Sequence, residues 1–274
     1  MHFQNFVFLL ENLIKQTNFD FNNLNYVSYT KTPGLVSCLY IGQVIAQCIA
    51  AFYDIPLIQC NHLHGHVYSL AINQNIKYPL LVLLASGGHT RIYYLKKPLE
   101  FKIIGQCLDD AAGEALDKIG RSLNLNYPAG PKIEELAKLS KFKDFNLINF
   151  ESKTIQSLNF SFSGLKTQLS NFFIKNKTKY SCSQFCNYLQ YVIIKILLIK
   201  LKKSLLLYKP NTIGIVGGVS ANSVFKKELQ KIALENKINY LFPLNGYATD
   251  NAAMIAILTY FQIKNKNFKI ENLD

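Results

Sequence analysis

Six residues, Asn61-His62-Leu63-His64-Gly65-His66, hold three of the chain's five histidines. Read as a helix, as Val67 to Ala71 beyond them suggest, the run sets His62 and His66 at i and i+4 on one face and turns His64 elsewhere. Two neutral imidazoles on one turn make half a metal site; they also suit an ordinary polar helix face. Asp250, in Thr249-Asp250-Asn251-Ala252-Ala253, is the best candidate for the missing oxygen ligand, although an aspartate placed there would by itself read as a helix cap. The His-Glu-x-x-His pattern of zinc proteases is absent, because Leu63 stands where its glutamate general base would be.

Two Gly-Gly stretches follow apolar strands. Leu80 to Ala85 is a continuous apolar run fit for a central strand; it ends in Ser86-Gly87-Gly88-His89-Thr90 and resumes at Arg91 to Leu95. Backbone amides in such a loop can face a phosphate, and a plain tight hairpin is the competing reading. Thr212 to Val216 leads into Gly217-Gly218-Val219-Ser220-Ala221-Asn222, which suits an anion or nucleotide at a helix N-terminus. Asp109 to Lys118 opens another helix, which Asp109 or Asp110 can cap. Asp110, Glu114 and Asp117 share its face, where carboxylates bind hydroxyls or cations, or are simply solvated. Tyr127-Pro128-Ala129-Gly130-Pro131 is a rigid turn before the next helix.

The elements that must position these groups are legible in the spacing. Phe6, Leu9, Leu10 and Leu13 predict a helix over residues 3–16, and Tyr26 to Tyr29 a short strand. Leu35 to Phe52 is apolar almost all round, which predicts a buried helix with Gly42 at a close contact. Ile55 to Ile58 is a strand entering the histidine helix. Residues 141–156 read as loop and edge, and Phe160 to Thr167 as a strand running into a helix. The apolar segment Tyr191 to Tyr208 carries Lys195, Lys200, Lys202 and Lys203, so a core-facing helix fits it better than a membrane span. At 274 residues, 49% hydrophobic and 17% charged, the chain is globular, and one large domain or two lobes are possible. Its net charge of +13 invites a nucleic-acid partner. Arginine occurs only at Arg91 and Arg121, and the skew to Lys, Asn and Ile is the kind an AT-rich genome imposes; the charge therefore speaks for phosphate contacts more than for base reading. Six scattered cysteines without a CxxC pair, and a start without a signal peptide's basic flank, predict a reduced, cytoplasmic setting with no membrane.

Taken together, these stretches resemble a known family, the tRNA N6-adenosine threonylcarbamoyltransferases, formerly described as O-sialoglycoprotein endopeptidases. The resemblance rests on Pro33-Gly34-Leu35, the His62/His66 helix, Leu84 to Thr90, Asp109 to Lys118, Tyr127 to Pro131, Phe160 to Thr167, Gly217 to Asn222 and Thr249 to Ala256, in the family's order. It implies an α/β, actin/Hsp70/sugar-kinase-like fold: two lobes around a nucleotide cleft, the first from residues 1–66 plus 250–274 and the second from 67–249. It implies transfer of threonylcarbamoyl from threonylcarbamoyl-adenylate to N6 of adenosine 37 in tRNAs reading codons that begin with A. It implies His62, His66 and Asp250 as ligands of one divalent transition metal, iron or zinc. Leu84, Ala85, Ser86, Gly87, Gly88, Asp117, Gly130 and Asn222 match positions that contact the adenylate. It further implies a paralogous partner of the same fold and a small ATPase. No residue stands out as general base.

Three departures from the family's pattern stand in the sequence. The usual first strand-turn-strand, which forms a phosphate hairpin, is not matched, so the first lobe reads as shortened at its N-terminus. Asn61 and His64 occupy positions where the family carries a histidine and a glutamate, and Ala129 replaces a usual glycine. The alternative readings are an inactive paralogue partner, against which the retained His62, His66 and Asp250 speak, and an ATPase or sugar kinase of the same fold.

Overall fold

Leu80 to Ala85 is apolar throughout because it sits in mid-sheet, covered on both faces and bonded on both edges. The computed structural model describes residues 2–140 and 157–268, with side chains from Phe6 onward. The stretch 141–156, read above as loop and edge, lies outside the described residues. In chain order the elements begin α1 (His2–Thr17), β1 (Val27–Thr32), α2 (Val36–Tyr53), β2 (Leu57–Asn61) and α3 (His62–Tyr68). They continue β3 (Leu80–Ala85), β4 (Thr90–Leu95), β5 (Phe101–Gln106), α4 (Ala112–Ser122), α5 (Ala129–Lys138) and α6 (Ser163–Asn176). They end α7 (Cys182–Tyr208), β6 (Thr212–Val216), α8 (Ser223–Glu235), β7 (Asn239–Leu241) and α9 (Ala252–Lys264).

The chain forms two compact units, the first running to Ile72 and again from Asn251, the second from Asn73 to Asp250. The first unit runs on past residue 66 because α3 continues to Tyr68 and the 3-10 turn Ser69–Ala71 packs against α9. In this unit β1 and β2 pair in parallel through the crossover helix α2. Tyr29, Ala46, Ala50 and Leu57 form their small core. The expected burial of α2 is not observed: Ala46 and Ala50 are its buried residues, while Leu35, Val36, Tyr40 and Phe52 are exposed. Gly42 has no atom within 4 Å of where a Cβ would stand, so it serves no close contact among the described residues. By length and composition α2 is apolar enough to cross a membrane. Its alanine side, however, is committed to the sheet.

In the second unit the strand order is β5-β4-β3-β6-β7. β3 and β4 form an antiparallel hairpin, β4 and β5 are antiparallel, and β6 runs parallel to both β3 and β7. Leu81, Leu83, Ile213 and Ile215 pack with Ile119 of α4 and with Leu189, Ile193 and Leu197 of α7 in one core. α7 starts with a capping box, Ser181 with Gln184. Among its lysines, Lys195 and Lys202 are exposed, whereas Lys200 is buried and donates from Nζ to the Ser157 carbonyl (2.8 Å); burial holds its pKa below the usual lysine range. The expected strand at Phe160 is a single bridge to Cys107, after which α6 begins.

Candidate functional site

Asn61 starts the histidine helix. Its Oδ1 accepts from the backbone N–H of Leu63 (2.9 Å) and of His64 (3.2 Å), an N-cap that makes His62 the first helical residue. The residue found where the family carries a histidine thus has a clear local task. The His62 and His66 rings lie 4.8 Å apart between centroids and meet at 82°. His66 is buried and His62 partly so. Gly65, on the same helix, faces α9: a Cβ there would stand 2.9 Å from Ile255 Cδ1 and 3.4 Å from the Met254 carbonyl oxygen. The bare glycine lets the start of α9 approach α3.

At that start the cap is Asn251, whose Oδ1 accepts from the Met254 N–H (2.9 Å). The capping role considered for Asp250 therefore falls one residue later. Asp250 directly precedes this cap, so its position follows from the entry into α9. One ligand atom from each of His62, His66 and Asp250 lies within 4.8 Å of the others. Two imidazole nitrogens and a carboxylate oxygen fit zinc or a non-haem iron(II), with coordination positions left for a substrate.

The second feature is a cavity of about 280 Å³ within the second unit. Gly87 from the β3–β4 turn, Asp117 of α4, Gly130 of α5 and Asn222 at the start of α8 line it. Close backbone contacts bring these stretches together. A Cβ on Gly113 would stand 2.5 Å from the Ser86 carbonyl oxygen, and one on Gly217 would stand 2.5 Å from that of Ala85. Gly217 also has φ +86°, the left-handed region that favours glycine. α4 and the strand-to-helix turn after β6 are thus pressed against the β3–β4 turn.

The remaining predicted contact residues take other places. Leu84 and Ala85 are buried in the sheet, and neither they nor Ser86 and Gly88 line the cavity. The Ser86 amide donates to the His89 carbonyl (2.8 Å) and the His89 amide to Ser86 Oγ (3.2 Å). This is the tight hairpin weighed in the sequence, with its Ser86 amide already used. Asp117 Oδ1 accepts from the Ala129 N–H (2.8 Å) and so fixes the start of α5. Asn222 caps α8, its Oδ1 accepting from the Val224 and Phe225 N–H groups (3.0 Å each), while its Nδ2 donates to Gln190 Oε1 (2.7 Å).

Neither Asp109 nor Asp110 caps α4. The N-cap is Ala111, and Thr90 Oγ1 accepts from the Ala112 N–H (2.9 Å). Asp109 instead accepts from Ser161 Oγ (2.6 Å) and the Phe162 N–H (2.8 Å), ahead of α6. Asp110 pairs with Lys118 (2.8 Å) and Lys166, and hydrogen bonds from these two hold its carboxyl down at about 2. Glu114 pairs with Lys118 (2.7 Å), so the acidic face of α4 is lysine-paired rather than open. Glu134, which the sequence reading missed, and Tyr127, which it placed only in a rigid turn, also line the cavity. Burial pushes the Glu134 carboxyl up, but hydrogen bonds from Ser223 Oγ (2.6 Å), from Lys138 and from the Ser223 N–H outweigh it and hold the pKa below the usual carboxylate range. The available sequence signal for Glu134 was its place four residues after Gly130, on the same face of the expected helix.

A profile of the family described as TsaD, tRNA N6-adenosine threonylcarbamoyltransferase, matches residues 1–257. The chain belongs to this family. A threonylcarbamoyltransferase of that name from Mesoplasma florum is 38% identical over 272 residues, an alignment covering 97% of this chain and 85% of the relative. The relative from Mycoplasmopsis agalactiae is 42% identical over 271 residues, covering 97% and 84%. That from Aster yellows witches'-broom phytoplasma is 39% identical over 254 residues, covering 92% and 91%. Among solved structures, full-length HypF in its phosphate- and nucleotide-bound form superposes with a TM-score of 0.70 at 12% identity, over 97% of this chain and 51% of that one. The Acidaminococcus fermentans (R)-2-hydroxyglutaryl-CoA dehydratase component A gives a TM-score of 0.55 at 14% identity, over 93% and 83%. At such identities these likenesses show the fold alone, which is the actin/Hsp70/sugar-kinase-like one. Ala129, where the threonylcarbamoyltransferase family usually has glycine, is accommodated by Gly120: a Cβ on Gly120 would fall 2.3 Å from that of Ala129.

Proposed function

We propose that this chain transfers the threonylcarbamoyl group from threonylcarbamoyl-adenylate to N6 of adenosine 37 in tRNAs that read codons beginning with A. The observation that carries the reading is the meeting of Gly87, Asp117, Gly130 and Asn222 around one cavity, in a chain of this family. In the reaction the N6 lone pair attacks the carbamoyl carbon of the mixed anhydride. The bond from that carbon to the phosphate oxygen breaks, AMP leaves with the electron pair, and the amine gives up one proton. The glycines of the cavity let backbone approach the AMP part, and Asp117 and Asn222 orient it. Lys138 pairs with Glu134 and offsets part of the carboxylate's charge at the cavity wall, while Ser223 holds the group in place by hydrogen bonds. We assign no general base.

His62, His66 and Asp250 would hold one divalent transition ion, iron or zinc. When bound, such an ion supplies Lewis acidity toward the carbamoyl or threonyl oxygens. The lysine-rich surface supports tRNA binding through phosphates, with adenosine 37 chosen by loop shape and unstacking. The exposed apolar side of α2 supports docking of a paralogue of the same fold, with a small ATPase as a further member of the system. The six cysteines are thiols rather than disulfides, which supports a reducing, cytoplasmic setting. Nothing in the comparisons favours an inactive partner or a kinase. Incubation of the chain with preformed adenylate, its paralogue and unmodified tRNA, followed by nucleoside mass analysis, tests the proposal. N6-threonylcarbamoyladenosine is the expected product, and unmodified adenosine throughout would refute it.

A further inference from the structure

Behind the cavity lies a small recess of about 20 Å³, walled by Leu116, Ile133, Ile193, Ile194 and Val219 together with Gln190 and Asn222. Gln190 sits on α7 and is 8% exposed. Leucine or isoleucine would fill such a place without cost to packing. An amide buried there calls for a polar task, and its partner is Asn222, whose Nδ2 donates to Gln190 Oε1 at 2.7 Å. The orientation of both amides follows from the chain itself. The Val224 and Phe225 N–H groups point at Asn222 and can be accepted only by oxygen, so the Asn222 NH₂ must lie on the other side. One of its two hydrogens goes to Gln190, which leaves one N–H as the donor that Asn222 has to offer.

We infer that Gln190 is a positioning residue: by taking one N–H of the Asn222 amide, whose oxygen the α8 cap already holds, it fixes the plane of that amide so that the remaining N–H is presented as a donor to an oxygen or ring nitrogen of the bound adenylate. The inference rests on the adenylate reading given above. Gln190 works through Asn222 and need not touch the ligand. Glutamate at this position would keep the acceptor, whereas leucine would remove it while matching the apolar walls.

The test measures equilibrium binding of a hydrolysis-resistant sulfamoyl analogue of the adenylate, with circular dichroism and thermal melting as a check on folding. Gln190→Leu should weaken binding about three- to tenfold, the worth of one oriented hydrogen bond, without lowering the melting temperature. Gln190→Glu should restore most of it. The decisive comparison uses Asn222→Ser, which retains a capping oxygen for α8 but lacks the amide arm. In that background Gln190→Leu should have no further effect. Equal binding by wild type and Gln190→Leu would overturn the inference, as would the same loss with and without the Asn222 amide. If Gln190→Leu fails to fold, Gln190→Met, which also lacks the amide acceptor and matches the side chain's length, takes its place and is judged by the same two criteria. No binding by the wild-type chain would refute the adenylate reading itself, and the inference with it.

Discussion

At the residue scale, the geometry separates groups that hold the backbone from groups left for chemistry. Asn61 and Asn251 cap α3 and α9, and the capping asparagine beside each potential ligand relieves it of that duty. His62, His66 and Asp250 are thereby drawn together within 4.8 Å. If they bind one ion, His62→Ala with His66→Ala should abolish metal retained by the purified protein, as read by elemental analysis. Metal content unchanged in the double variant would remove this site from consideration. The histidine pair was legible because the i, i+4 spacing is a direct consequence of helical geometry, whereas Asp250 was a candidate that the family resemblance joined to it. The sequence left the caps ambiguous, because Asp250 and Asn251, or Asp109 and Asp110, are equally good capping types one position apart. Thr90, which receives the Ala112 N–H, lies 22 residues away in sequence and carried no local signal.

At the element scale, the cavity depends on three chain segments meeting at distances only glycine permits. Gly113→Ala would drive a methyl into the Ser86 carbonyl and the Gly87 nitrogen, both backbone atoms that cannot swing away. We expect a loss of about 1–3 kcal/mol in denaturant unfolding, together with weakened nucleotide binding. Stability equal to wild type would show that the α4 start is not held where described. The tie between α4 and α6 predicts a pH signature. Asp110 titrates at about 2 in the fold against an ordinary 3.8, so its contribution is fully present above the unfolded value and is lost as pH falls through the folded one. The lysines it meets are partly exposed, which limits the effect of Asp110→Asn to about 1 kcal/mol at neutral pH. The gap to wild type should close between about pH 4 and pH 2. A gap that is the same at pH 7 and pH 2 would mean that the pairing with Lys118 and Lys166 contributes nothing. β3 and β6 were readable as continuous apolar runs. β5 was not: Phe101 to Gln106 has one fully buried position, Gly105, so neither alternation nor apolarity marked it.

At the scale of the whole molecule, periodicity marked individual strands and helices and the family resemblance implied the α/β class, but neither could say what covers each apolar face. α2 shows this most plainly. Its sequence is as apolar as a buried helix, yet Val36 is 82% and Tyr40 66% exposed, and these two residues share a face at i and i+4. Apolarity reports that a surface avoids water, not that the same chain supplies the cover. Val36→Asp with Tyr40→Asp should abolish co-purification with the proposed paralogue while leaving the melting temperature of the isolated chain within about 2 °C of wild type. Undiminished complex formation would place the partner elsewhere.

The most direct measurement of the central claim is a single-turnover experiment with adenylate labelled in its threonyl carbon, unmodified tRNA and the paralogue. Labelled tRNA and free AMP are followed together. The account predicts that label reaches the tRNA at the same rate and in the same amount as AMP appears above the adenylate's spontaneous hydrolysis. Asp117→Ala and Asn222→Ala should slow both equally. Release of AMP with the label left in small molecules, or no release above background, would contradict it.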